Sequence, residues 1–154
     1  MIVIAELIAL VTALRNANLP FAVCGGLAMA IHGHPRATHD IDILIREEQL
    51  QEVLAVARSA GFWIPSGRMP FKAKTTLSME FYRVSKAVGD HLIPLDLMLV
   101  SPVLEEVWVG RISGQIGDAE CTVVSADGLI RMKEIAARKQ DLADIETLRQ
   151  GRDE

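Results

Sequence analysis

The sequence predicts an α/β fold of the α+β kind: a mixed β-sheet flanked by helices, with a helical tail at the C-terminal end. Three observations lead there. Hydrophobic residues change period along the chain in the order helix, strand, helix, strand, helix, several strands, helix. Half of the 154 residues are hydrophobic and 23% are charged, a globular composition long enough to bury a real core. No internal repeat or low-complexity segment interrupts it, so residues 1–154 read as one domain, with a core over about 19–124 and C-terminal helices over about 125–150.

Residues 3–16 place Val3, Leu7, Leu10, Val11 and Leu14 at helical spacing, and Asn18 and Pro20 end that helix. Phe21 to Cys24 is a short strand stopped by Gly25 and Gly26, and Leu27 to Ile31 favours a short helix ended near Gly33 and Pro35. Asp40 to Ile45 is rich in β-branched residues and reads as the next strand. Glu47 to Ala60 returns to helical period and Gly61 closes it. Residues 65–74 carry a glycine, two prolines and three positive charges, the pattern of a loop. Thr75 to Val84 and Leu92 to Val100 read as strands joined through a turn at Gly89 and Asp90. A short helix over Pro102 to Val109 follows, then strands at Arg111–Ile116 and Glu120–Val124 about Gly117 and Asp118. Ser125 is an N-cap for a helix running into the 140s.

The net charge of −4 argues against a surface coated with positive charge for nucleic acid. Cys24 and Cys121 lie far apart in apolar runs, which is the usage of buried, reduced thiols in a cytosolic protein. The first residues lack the basic region of a signal peptide, and Glu6 and Arg15 bracket too short an apolar stretch to span a membrane. The expectation is a cytoplasmic protein without a membrane partner.

The chemistry concentrates in residues 24–45. Side chains alternate along a strand, so Asp40 and Asp42 share one face, about 6–7 Å apart along the backbone. A third acid, Asp96, sits inside a similar apolar run. If the two strands are neighbours, three carboxylates meet at one edge of the sheet, a set of hard oxygen ligands suited to Mg²⁺ or Mn²⁺. The plainer alternative makes Asp40 a strand cap, with Asp42 and Asp96 in structural ion pairs with Arg36, Arg46 or lysines. Gly25 and Gly26 let backbone approach a phosphate group, and a tight strand-to-helix turn would use them equally. Arg36 and Thr38 fit either a phosphate contact or a turn-stabilising role. His32, His34 and His39 fit no standard zinc spacing and read as turn and surface histidines. Arg68, Phe71, Lys72 and Lys74 combine charge with an aromatic ring that suits a single-stranded RNA acceptor, or form a solvated loop.

Gly25-Gly26, then Gly33-x-Pro35-Arg36-x-Thr38-x-Asp40-Ile-Asp42 and the strand acid Asp96 resemble the nucleotidyltransferase superfamily (polymerase-β-like), with the small bacterial members related to AbiE-type toxins as the nearest match. The stretch from Leu129 through Lys133, Arg138, Asp141 and Asp144 to Leu148 is similar to that family's helical tail. The resemblance implies that Gly25 and Gly26 contact a nucleoside triphosphate, and that Asp40, Asp42 and Asp96 hold Mg²⁺ or Mn²⁺. It implies that Lys133 faces the phosphates, whereas alone Lys133 reads as part of a solvated helix face. Asp141 would belong to the tail motif that supports the site, or pair on the surface with Arg138 or Lys139.

The implied activity is transfer of a nucleoside monophosphate to an acceptor hydroxyl on tRNA, protein or a small molecule. Asp96 is the candidate to assist its deprotonation. A toxin–antitoxin partner is part of that expectation, and the alternative is a catalytically reduced nucleotide- or partner-binding module. Leu27 stands where many superfamily members carry Ser or Thr, and leucine donates no hydrogen bond.

Overall fold

The structure is a computed structural model that describes residues 2–70 and 79–153. The elements in chain order are α1 (Ile2–Asn16), β1 (Ala22–Cys24), α2 (Gly25–Ile31), β2 (Ile41–Ile45), α3 (Leu50–Ser59), β3 (Ile64–Pro70), β4 (Glu80–Val88), β5 (His91–Leu99), α4 (Glu105–Val109), β6 (Ile112–Ile116), β7 (Ala119–Val123), α5 (Ala126–Ala136) and α6 (Lys139–Asp153). Short 3₁₀ turns lead into α3 and α4. The strands form one mixed sheet in the order β3-β4-β5-β2-β1-β7-β6. β2 and β5 run parallel, as do β1 and β7, and the other neighbours are antiparallel. The α/β reading with flanking helices holds.

The sheet separates two environments by simple alternation. Ile41, Ile43 and Ile45 on β2 are buried, as are Leu95, Leu97 and Leu99 on β5, and Asp42 and Asp96 interrupt those runs on the opposite face. The apolar face meets α1 and α3, which pack on one another. Lys86, one of the few charges on that side, reaches Glu6 of α1 at 2.7 Å and the Ala60 carbonyl at 3.0 Å. Leu7, Leu10 and Leu14 of α1 are fully buried, each contributing about 1.5–3 kcal/mol of transfer free energy. The charged face is the one that α5 and α6 approach, as Lys133 and Asp141 show below.

Two expectations are corrected. Residues 65–70 are not loop but most of the edge strand β3, paired with β4 through a register shift between Pro65 and Gly67. An edge strand tolerates proline because its outer N–H groups need no partner, which is why Pro65 and Pro70 did not prevent pairing. The C-terminal helix is two helices: Ala137 adopts a left-handed conformation (φ 51°) that ends α5, and α6 starts at Lys139. The Ser125 cap is as expected, its hydroxyl oxygen accepting from the Gly128 N–H at 3.0 Å. The start of the strand expected at Thr75 lies outside the described residues; the described part begins at Glu80 and runs on to Val88. Both cysteines are buried and free. Among the described residues no helix is long and apolar enough to cross a membrane.

Candidate active site

The parallel register of β2 and β5 sets Asp42 directly beside Asp96, with Asp40 just before β2. Oxygen atoms of Asp40, Asp42 and Asp96 come within 4.8 Å of one another, so the carboxylates meet as the alternation predicted. They lie in a cavity of about 950 Å³ that is also lined by Gly25, Gly26, Arg36, Thr38, Lys133 and Asp141. The nine residues expected to hold metal or nucleotide therefore share one cavity.

Gly25 is required by close approach. It is left-handed (φ +66°), and a Cβ there would run into the Asp42 carboxylate. A Cβ on Gly26 would meet the Thr38 hydroxyl at 3.0 Å. The helix begins at Gly25 itself, so both glycines are its first turn rather than a separate loop. Leu27 turns away from the cavity into the core and is 2% exposed. A hydroxyl at that position would not face a phosphate in this backbone.

The three acids are in unlike electrostatic states. Among the described residues no hydrogen bond or ion pair engages Asp42. Its carboxyl is pushed up to about 8, first by burial and then by the charges of Asp40 and Asp96. Asp96 instead accepts two hydrogen bonds from the Arg83 guanidinium, at 2.6 and 2.9 Å. The structural ion-pair alternative is thus correct for Asp96 but with a partner it did not name: Arg46 pairs with Glu105 and Arg36 with Asp144. The Thr38 hydroxyl lies 3.2 Å from the Asp40 backbone carbonyl and 3.4 Å from its carboxylate, and among the described residues no ion pair engages Asp40. Cys24, beside them, has its thiol raised well above its ordinary range by burial and by Asp42 and Asp96.

Lys133 is neither on a solvated face nor unpaired. It is buried, donates to Asp144 at 2.8 Å and lies 3.6 Å from Asp141. Asp144 also accepts from Arg36 at 2.9 Å and from Gln140 at 3.0 Å, joining α5 and α6 to the turn before β2. Asp141 is buried and accepts from the Arg138 side chain at 2.6 Å and from its backbone N–H at 3.2 Å. Burial would raise its carboxyl, but those bonds and the Lys133 charge outweigh this and hold it low. Asp141 and Asp144 therefore pair as buried anchors of the tail, not on the surface.

Arg83 was missed from sequence, although a signal existed. A turn at Gly89 and Asp90 pairs Val88 with His91, and counting back along the hairpin sets Arg83 opposite Asp96. The histidines form no metal site among the described residues, where the Asp40, Asp42 and Asp96 group is the one such cluster. His32 Nε2–H donates to the Val124 carbonyl at 2.8 Å. Arg68 is committed to Glu47 and Glu80, while Phe71, Lys72 and Lys74 lie outside the described residues.

Comparison with known proteins bears on the family and the fold. The family model described as Aminoglycoside-2''-adenylyltransferase matches residues 6–85, just over half of the chain. A search of curated proteins finds no match. Among solved structures, the chain is similar to ANT(2'')-Ia in complex with adenylyl-2''-tobramycin, with 14% identity and a TM-score of 0.61 over 94% of this chain and 86% of that one. It is also similar to the lincomycin-bound lincosamide antibiotic adenylyltransferase LnuA, with 12% identity and a TM-score of 0.53 over 94% and 95% of the two chains. A third is JHP933 from Helicobacter pylori, with 21% identity and a TM-score of 0.55, over 94% of this chain and 63% of that one. At these identities the structures establish a shared fold.

Proposed function

Because the chain belongs to the aminoglycoside-2''-adenylyltransferase family, we propose that it transfers the adenylyl group of ATP to a hydroxyl of a small molecule. The observation that carries the reading is the meeting of Asp40, Asp42 and Asp96 beside the glycine turn. Three close carboxylates, one of them without a partner among the described residues and held near neutral, form a set completed by a divalent cation. Their oxygens fit Mg²⁺ or Mn²⁺, and the two oxygens of Asp96 keep lone pairs beyond those that Arg83 uses. When bound, such an ion supplies positive charge that activates the attacking hydroxyl and stabilises the leaving pyrophosphate.

The chain's own residues do the rest. Gly25 and Gly26 let the triphosphate come against backbone, and Arg36 and Lys133 supply positive charge at its edge. Asp144 holds both cations in place, and Asp141 holds Arg138. Asp96, fixed by Arg83, accepts the proton of the acceptor hydroxyl. The acceptor oxygen then bonds to the α-phosphorus as the bond to the bridging oxygen breaks, and pyrophosphate leaves with the electron pair. None of the relatives reported above is described as an AbiE-type toxin, and a toxin–antitoxin pairing and tRNA or protein acceptors stay outside the proposal.

Incubation with ATP labelled at the α-phosphate, Mg²⁺ and a panel of hydroxyl compounds tests it. Label moves to an acceptor in the wild type. Asp42→Asn reduces transfer at least about 100-fold, because even outer-shell partners of a metal contribute about 10–100-fold. Transfer that survives Asp42→Asn overturns the reading.

A further inference from the structure

We propose that the acceptor is a hydroxyl compound with an apolar face and no cluster of positive charges, seated against Met69, Phe81, Pro94 and Met98. This rests on the adenylyl-transfer reading above and names the acceptor class for the same site.

In-line displacement puts the attacking oxygen opposite the leaving pyrophosphate. The phosphate-facing groups lie on the β1 side of the acids: Gly25 and Gly26 open α2 directly after β1, and Lys133 comes from α5. The acceptor must then approach from the β5 side. There the cavity wall is a cross-strand row, Met69 on β3 opposite Phe81 on β4 opposite Met98 on β5. Alternation puts Phe81 and Met98 on the same sheet face as Arg83 and Asp96, two residues along, and Pro94 continues that face on the other side. Met79 also lines the cavity.

Charge points the same way. A polycationic aminosugar needs carboxylates left over to receive its ammonium groups. Among the described lining residues the acids are Asp40, Asp42, Asp96 and Asp141, matched by Arg36, Arg83, Lys133 and Arg138. The first three acids are the cation set, and Asp141 is taken by Arg138 and Lys133. Glu80, the nearest acid on β4, falls on the opposite face by alternation and binds Arg68 at 2.6 Å. A polyamine entering here would meet Arg83 and methionines. An apolar-faced alcohol would gain burial against soft, adaptable side chains.

Protein carrying ¹³C-labelled methionine methyl groups is titrated with n-octyl β-glucoside and, separately, with tobramycin, each with and without Mg²⁺ and a non-hydrolysable ATP analogue. Octyl glucoside should shift the Met69, Met79 and Met98 methyls to saturation, and tobramycin should leave them unmoved. Phe81→Asp, which puts an acid on the wall, should weaken octyl glucoside about tenfold, a loss of about 1.4 kcal/mol, and create a tobramycin response. Met69→Glu, at a half-exposed edge position, is the second variant should Phe81→Asp not fold. Methyl shifts with tobramycin in the wild type, no shift with octyl glucoside, or a titration unchanged in both variants each overturns the inference. The analogue's own binding, followed in the same samples, reports on the transfer reading separately, since the wall can be titrated without nucleotide.

Discussion

Asp42 carries the least ordinary chemistry in the molecule. Its carboxyl is held at about 8 instead of 3.8 by burial, reinforced by Asp40 and Asp96. Between those values the folded chain keeps a proton that the unfolded chain has lost. This group's contribution to stability is therefore complete at low pH and disappears as pH rises through the folded value. In thermal denaturation, Asp42 should cost metal-free wild type stability from about pH 4 to about pH 8, Asp42→Asn should lose less over that interval, and Mg²⁺ should flatten the wild-type profile. A wild-type profile that rises with pH over this window would contradict the assignment. Leu27 makes the opposite kind of prediction. Leu27→Ser should destabilise the fold by roughly 3 kcal/mol, since it opens a cavity in the core. Nucleotide affinity in the folded fraction should stay unchanged, as calorimetry would show.

At the scale of elements, the β4–β5 hairpin decides which cation meets Asp96. Gly89 is left-handed (φ +59°) at the turn, and that register delivers Arg83 to the site. Arg83→Gln should destabilise metal-free protein by about 1.5–3 kcal/mol, the range for hydrogen bonds to charged groups. Saturating Mg²⁺ should recover much of that loss in a denaturation experiment, because the ion replaces the missing positive charge. The α5–α6 break is the second element-level device. Ala137 sits where side chains are strained, so Ala137→Gly should raise the melting point, by about 0.5–1 kcal/mol of stability. Nothing in Ala136-Ala137-Arg138 announces that break. It is made by Arg138 and Asp141 at the start of α6, a tertiary arrangement that helical periodicity does not report. The edge strand β3 was hidden for a different reason: its prolines and glycine carry loop chemistry, and only pairing with β4 makes it strand.

For the whole molecule, the sheet order is what turns scattered motifs into a site. Asp40 and Asp42 announce themselves by charge at alternate positions in an apolar run, and Asp96 by the same anomaly. Their meeting depends on β2 and β5 lying side by side in parallel, a pairing between segments about 50 residues apart that local pattern does not dictate. Lys133, Asp141 and Asp144 look like surface charges because their burial exists only once α5 and α6 close on the turn carrying Arg36. The same topology divides the cavity, with the glycine turn and its cations on one side of the acids and the methionine-rich wall on the other. On the adenylyl-transfer proposal, this division serves metal-dependent nucleotide binding. Calorimetry of ATP with and without Mg²⁺, on wild type and on Asp42→Asn, tests it most directly. The expected result is binding by the wild type that requires Mg²⁺ and is lost in Asp42→Asn. ATP binding of equal strength without Mg²⁺, or no binding by the wild type at all, would contradict it.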